Sequence, residues 1–265
     1  MTNMKKLIIL ILLLCLPCQA SALGPMMFLS GSGESVVTAC SSCTPGDPAD
    51  LFCEDCDNSG AFWCSWTDDV SGTNTVTCAD HSGTLACTDQ GSKAIEITID
   101  GDQGELASKY QAVTENAVYI HFYLNLKTWS GMDNLDAVVL IQVYEVDYNT
   151  LARLWIYDVS GTPRLYYLID GQAGDEVEAG PDLTVGTWYD IEFSWQRNTA
   201  NGVNLNVNDT DYALDDGQTT IDRESDRVYI GSTSLSSGIG ADEDIVIQMD
   251  NMEVDNDTMS DDCPE

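Results

Sequence analysis

Trp155, Tyr157 and Tyr166 are spaced to put three aromatic rings on one face of a β-hairpin, with Arg153 and Asp170 at its end. Flat rings of this kind stack on sugar rings, and charged neighbours hydrogen-bond hydroxyls and fix their orientation. A second layer over that face would instead make the same rings core. His121, Tyr123, Tyr144 and Arg153 form another set, with the residue types that move a proton α to a uronate carboxylate and neutralise its charge. Nothing in their spacing is diagnostic, and His121 reads first as a polar residue on a solvated strand face. His81 and His121 are the two histidines of the chain, which excludes a histidine-rich metal site. No nucleophile-elbow or phosphate-loop signature is present.

Strands must carry these side chains. Leu151–Asp158 and Arg164–Asp170 read as a hairpin across Ser160-Gly161-Thr162-Pro163. With Gly161 and Thr162 as the loop, Arg153 faces Asp170, Trp155 faces Leu168, and Tyr157 faces Tyr166, a register favoured by the opposite charges. Leu154, Ile156, Leu165, Tyr167 and Ile169 make the core stripe of the other face. A second hairpin spans Val185–Val207, where Tyr189, Ile191, Phe193 and Trp195 alternate with polar residues. Asn198–Gly202 supplies its turn, and Val203, Leu205 and Val207 the return strand. Ala94–Ile99, Val118–Leu126, Arg227–Gly231 and Ile245–Val254 are further strands, and Ala137–Val146 reads as a strand buried on both faces. Leu51–Asp55 is the first strand, and Gly171–Pro181 an acidic, Gly-rich loop. There is no long 3.6-residue period and no internal repeat.

The Gly-x-Trp-Tyr lead at Gly186, the strand after it, the Gly-containing hairpin and the V-x-L-x-V-N strand at Val203 resemble the laminin-G-like, concanavalin-A-like jelly-roll superfamily. The resemblance implies an all-β fold, a two-sheet antiparallel jelly-roll sandwich, here with a cysteine-rich N-terminal segment. It leaves function open, because lectins, binding modules, hydrolases and lyases share the superfamily. Laminarinase-type endoglucanases of the superfamily carry Glu-x-Asp-x-Glu on a strand, two of those carboxylates serving as nucleophile and general acid. Glu145-Val-Asp147-Tyr-Asn149 matches only half of it, and Asn149 and Thr150 occupy both places for the last glutamate. The resemblance therefore implies no catalytic pair. It also implies a structural calcium ion, since a final strand similar to D-x-V-x-V, here from Asp250, meets an acidic N-terminal strand where Glu54 or Asp55 would be the partner. Solvated surface acids are the alternative.

Composition sets the surroundings. The 265 residues carry 44 acidic and 10 basic side chains, a formal charge of −34, with 43% hydrophobic content. That apolar share supports a globular domain despite the charge. The acidity excludes nucleic acid as a partner, since no basic patch exists to release counterions, and it disfavours anionic membrane surfaces. Lys5 and Lys6, the apolar run Leu7–Leu16 and the small-x-small site Ala20-Ser21-Ala22 read as a secretory signal peptide over residues 1–22, too short for a permanent membrane span. Neither Cys15 nor Cys18 has the context of a lipid-attachment site, and the mature chain is expected to be secreted or at the cell surface.

The remaining cysteines, Cys40, Cys43, Cys53, Cys56, Cys64, Cys78, Cys87 and Cys263, form an even set in an exported chain and read as disulfides. Seven lie between Cys40 and Cys87, so if all are oxidised one must pair outside that segment, and Cys263 is what remains. The CxxC pairs at Cys40–Cys43 and Cys53–Cys56 have the ligand count of a zinc site as well, and redox chemistry stays as a third reading. A c-type haem is excluded by Thr44 and Asp57, which stand where its histidine would be.

The expected organisation is a signal peptide at 1–22, a cysteine-rich lead at 23–50, the jelly roll at 51–257 and a tail at 258–265. The expected role is a non-catalytic module binding extracellular or cell-surface polysaccharide, or an adhesion module, through Arg153, Trp155, Tyr157 and Tyr166. A polysaccharide-degrading enzyme, a lyase before a hydrolase, is the alternative from another class. A structural surface protein that contacts other surface proteins is the third.

Overall fold

Residues 50–53, 67–70, 74–80, 93–99, 107–133, 136–171, 174–212, 219–232 and 244–256 are described by a computed structural model of the chain. Apolar residues at every second position favour strands, and among the described residues every regular element is a strand. One sheet holds, in spatial order, β13 (Thr210–Asp211), β12 (Val203–Val207), β11 (Trp188–Gln196), β6 (Ala117–Ser130), β15 (Asp244–Asp255), β4 (Lys93–Ile99) and β3 (Thr75–Asp80). The short β1 (Asp50–Cys53) also pairs with β15, placing Asp50 opposite Asp255 and Cys53 opposite Glu253. The other sheet runs β10 (Gly174–Asp182), β9 (Pro163–Gly171), β8 (Thr150–Asp158), β7 (Ala137–Tyr144), β14 (Arg227–Ser232), β5 (Ala107–Ala112) and β2 (Thr67–Val70). All pairings are antiparallel. The two sheets close over one core, as a jelly-roll sandwich does.

The hairpin of β11 and β12 forms as its alternation dictates. Ile191, Phe193 and Trp195 lie directly opposite Val207, Leu205 and Val203, and all six are buried. Gly202 is required where the hairpin turns, because a Cβ there would sit 2.6 Å from the Gln196 carbonyl oxygen and 2.8 Å from that of Thr199. From the facing sheet, Leu154, Ile156, Leu165, Tyr167 and Ile169 join the same core. Polar links between the sheets include Trp129 Nε1 donating to Asp158 Oδ2 at 3.2 Å and the Tyr167 hydroxyl donating to the Tyr212 carbonyl.

Three expectations are corrected. The segment expected as a loop at Gly171–Pro181 is largely strand β10, the outermost member of its sheet. Its glycines, acids and Pro181 are composition that an edge strand tolerates, because one side needs no ladder partner. The β8–β9 hairpin turns at Ser160-Gly161, with φ of 57° and 87°, and Val159 and Thr162 exchange both backbone hydrogen bonds around it. That is the primed turn suited to the twist of a two-residue hairpin. Moving the turn back by one residue slides the register by two, so Arg153 faces Leu168, Trp155 faces Tyr166 and Tyr157 faces Arg164. Every side chain keeps its face because the slip is even. Finally, His121 is not solvated: it is only 6% exposed, and Tyr123 and Asn125 beside it on β6 are buried too.

Candidate functional site

The face of the second sheet turned away from the core is built around β8. Leu154 and Ile156 are fully buried in the core, so Arg153, Trp155 and Tyr157 must project from the opposite side. Trp155 stacks on Tyr166 of β9, with centroids 6.3 Å apart and planes at 17°. Tyr157 stands edge-on to both, 5.8 Å from Trp155 and 5.1 Å from Tyr166. Trp155 is 5% exposed and forms the floor, while Tyr157 and Tyr166 remain half-buried above it. The Trp155 Nε1 proton is buried without an acceptor among the described residues.

The expected quartet of Arg153, Trp155, Tyr157 and Tyr166 thus shares one face, and it is half of a longer array. A bulge at Leu140 lets β7 present both Val139 and Gln142 outward, opposite Trp155 and Arg153. Gln142 in turn faces Tyr229 of β14, and Tyr229 faces Tyr110 of β5. Leu168, Arg153, Gln142, Tyr229 and Tyr110 therefore form one row across five strands. Its centre is polar. Thr150 Oγ1 accepts from Gln142 Nε2 at 2.6 Å and from Arg153 Nη2 at 3.2 Å.

A second aromatic cluster, absent from the sequence reading, occupies the far end. Tyr110 stacks on Tyr229 at 4.8 Å, and Tyr144 meets Tyr229 edge-on at 5.3 Å. Tyr148, on the β7–β8 turn, lies 6.1 Å from Tyr144. Arg227 joins them: its guanidinium sits 4.3 Å from the centre of the Tyr148 ring and 5.7 Å from that of Tyr110. It donates to the Tyr148 hydroxyl at 2.6 Å and to Asp226 Oδ2 at 2.7 Å. Burial alone would lower its pKa, but the hydrogen bonds it makes to Asp226, Tyr229 and Tyr148 outweigh that and hold it above the ordinary arginine value. The signal for this cluster is split between Tyr110, Tyr144-to-Tyr148 and Arg227-to-Tyr229, which only sheet pairing brings together.

Glu145, Asp147 and Asn149 lie on that same turn rather than along a strand. The buried Glu145 carboxylate accepts from Arg223 and from Asn149, while Asp147 is exposed. Of the set considered for proton abstraction, Tyr144 and Arg153 lie on the second sheet. His121 and Tyr123 lie on β6 of the first, so the four do not share one sheet. His121 Nε2 is 2.8 Å from Asp190 Oδ1, with Tyr123 5.5 Å away edge-on. Burial, then Asp190 and Asp250, push the Tyr123 hydroxyl up to about 12.

Asp250 is buried on β15 opposite Tyr123. Glu54 and Asp55 lie outside the described residues, as do residues 1–49 and the tail from 257. Among the described residues, no group of three or more His, Cys, Asp or Glu side chains is placed to hold a metal ion. Cys78 is the one cysteine whose side chain is described, and it is disulfide-bonded. Cys40, Cys43, Cys56, Cys64, Cys87 and Cys263 lie outside the description, and of Cys53 only the backbone is described.

No family model and no curated protein matches the chain. Solved structures do. The cellulose induced protein Cip1 aligns at a TM-score of 0.52 and 15% identity, over 78% of this chain and 97% of that one. The alginate lyase Aly36B, as a mutant in complex with alginate trisaccharide, aligns at 0.49 and 13%, over 62% and 82%. The alginate lyase from Alteromonas sp. 272 aligns at 0.44 and 12%, over 62% and 88%. The likeness to Cip1 agrees with the fold, a two-sheet antiparallel jelly-roll β-sandwich.

Proposed function

We propose that the chain is a secreted, non-catalytic glycan-binding module of the laminin-G-like type. Its ligand is an extracellular or cell-surface polysaccharide lying on the outer face of the second sheet. The observation that carries the reading is the half-buried pair Tyr157 and Tyr166 over a Trp155 floor, beside Arg153 and the polar Gln142–Thr150 centre. Ring faces supply apolar contact to a sugar, and flanking donors orient its hydroxyls. The likeness to Cip1 and to the alginate lyases supports the fold, and the side chains support the binding. Arg153 lies opposite Gln142, and Tyr144 follows two residues further along β7, opposite Thr150 and Arg227, so a lyase acting on a uronate polymer is the second reading. There a tyrosine would move the α-proton and an amide or guanidinium would neutralise the carboxylate.

A structural calcium ion belongs to the same proposal, held by Asp250 with Glu54 or Asp55. It is supported by the pairing of β1 with β15, where Cys53 lies opposite Glu253, one residue before Glu54. Disulfides among the N-terminal cysteines and Cys263 would fasten the same ends.

A glycan array of the exported chain, run in calcium and again after chelation, tests both parts. Trp155 is too buried to be a clean probe, so Tyr157→Ala and Tyr166→Ala are the variants, with Asn206→Ala on β12 as control. Loss of binding in the two tyrosine variants and not in the control is expected. Retention in both would remove the proposed face from consideration. Release of an unsaturated uronate from a polymer, lost in Tyr144→Phe, would replace binding by lyase action.

A further inference from the structure

Resting on that reading, we infer that the ligand is an uncharged glycan chain crossing the strands, held at its far end by a second subsite of Tyr110, Tyr144, Tyr148 and Tyr229. The row from Leu168 to Tyr110 covers four strand spacings, about 19 Å at roughly 4.8 Å each. That is the span of an oligosaccharide and not of a single sugar. Rings cluster at both ends of the row, and the half-buried Thr150 and Arg153 lie at its middle beside the fully buried Gln142, so a bound chain has an apolar platform under each end and a hydroxyl and a guanidinium near its centre.

Tyr148 marks the second subsite most directly. It is 59% exposed, and its φ of 62° is a backbone state that a bulky residue adopts at a cost. A smaller residue would fit the turn with less strain, and the ring is nevertheless kept in the open, braced by Arg227. Strain kept at an exposed aromatic beside a candidate site points to a contact made by that ring.

Charge decides the class of sugar. Three of the guanidiniums on and beside this face are matched by the chain's own carboxylates, Arg227 by Asp226, Arg223 by Glu145 and Arg164 by Asp182, and Arg153 at the centre donates to Thr150 Oγ1. A uronate carboxylate arriving at Arg227 would have to displace Asp226 or sit against it. It would also approach a chain with a formal charge of −34. Hydroxyls meet neither obstacle, and tyrosine hydroxyls can both donate to them and accept from them.

Titration calorimetry with oligosaccharides of two to six units settles it, using neutral glucan and mannan ladders beside uronic-acid ladders. Affinity for one neutral ladder should climb at least tenfold between the dimer and the longest member, with the uronic ladder weaker throughout. Tyr148→Gly, which relieves the backbone strain and so preserves the fold, should erase that climb. Tighter binding of uronic oligomers would overturn the charge argument while leaving glycan binding intact. A flat length dependence, or a climb that survives Tyr148→Gly, would overturn the second subsite. Binding of no oligomer from either ladder would overturn this inference together with the reading beneath it.

Discussion

Tyr123 is a hydroxyl held between two carboxylates. Its burial and the charges of Asp190 and Asp250 make the phenolate costly, and its pKa rises from an ordinary 10.0 to about 12 in the folded chain. Between those values the unfolded chain has lost this proton and the native chain has kept it, so stability falls as pH rises through the window and is complete below it. Denaturant midpoints measured at pH 9, 10.5 and 12 should fall, and the fall should be shallower in Tyr123→Phe. An equally steep fall in the variant would assign the loss to other tyrosines. Individual side chains of the site were legible to different degrees. Trp155, Tyr157, Tyr166 and Arg153 announce themselves by alternation within one hairpin. Tyr110 and Tyr229 do not, since each is a lone tyrosine in its strand and acquires meaning only from the partner 119 positions away, with which it stacks.

At the scale of elements, the β8–β9 turn sets which rings meet. Ser160 and Gly161 both take left-handed backbone, and Gly161 does so with open space around its α-carbon. Gly161→Ala should therefore cost about 1–2 kcal/mol through the backbone alone, without a clash. Thermal melts check it, and a variant as stable as the parent would mean that the turn relaxes to another type. The same turn explains what the sequence could and could not say. Alternation assigned each residue of β8 and β9 to its face correctly. It could not choose between turns one residue apart, because both choices preserve the faces. β10 was missed for a related reason: as an edge strand of glycines, acids and a proline, it lacks the apolar alternation that signals a strand. The hairpin of β11 and β12 was fully legible, as its rings and aliphatic residues alternate without a break.

For the whole molecule, charge is the dominant long-range quantity. Thirty-four net negative charges repel one another, and added salt weakens that repulsion as the screening length shortens from about 10 Å at 0.1 M to about 3 Å at 1 M. The melting temperature should rise over that range of sodium chloride. A temperature that stays fixed would indicate that the carboxylates are already neutralised locally by bound cations, which bears on the proposed calcium.

The pairing of β1 with β15 has a mechanical side. Asp50, where β1 begins, lies opposite Asp255, where β15 ends. A load applied through these two points acts at one end of an antiparallel pair. It therefore peels β1 away one hydrogen bond after another, where a load along the strands would have to break the whole ladder together. Tethered by its ends in flowing water, the sandwich would yield first at this seam, at low force, with the rest of both sheets still folded behind it. A cross-link from the tail to the N-terminal cysteines would carry the load past the seam, so oxidation state would set how hard the chain can be pulled.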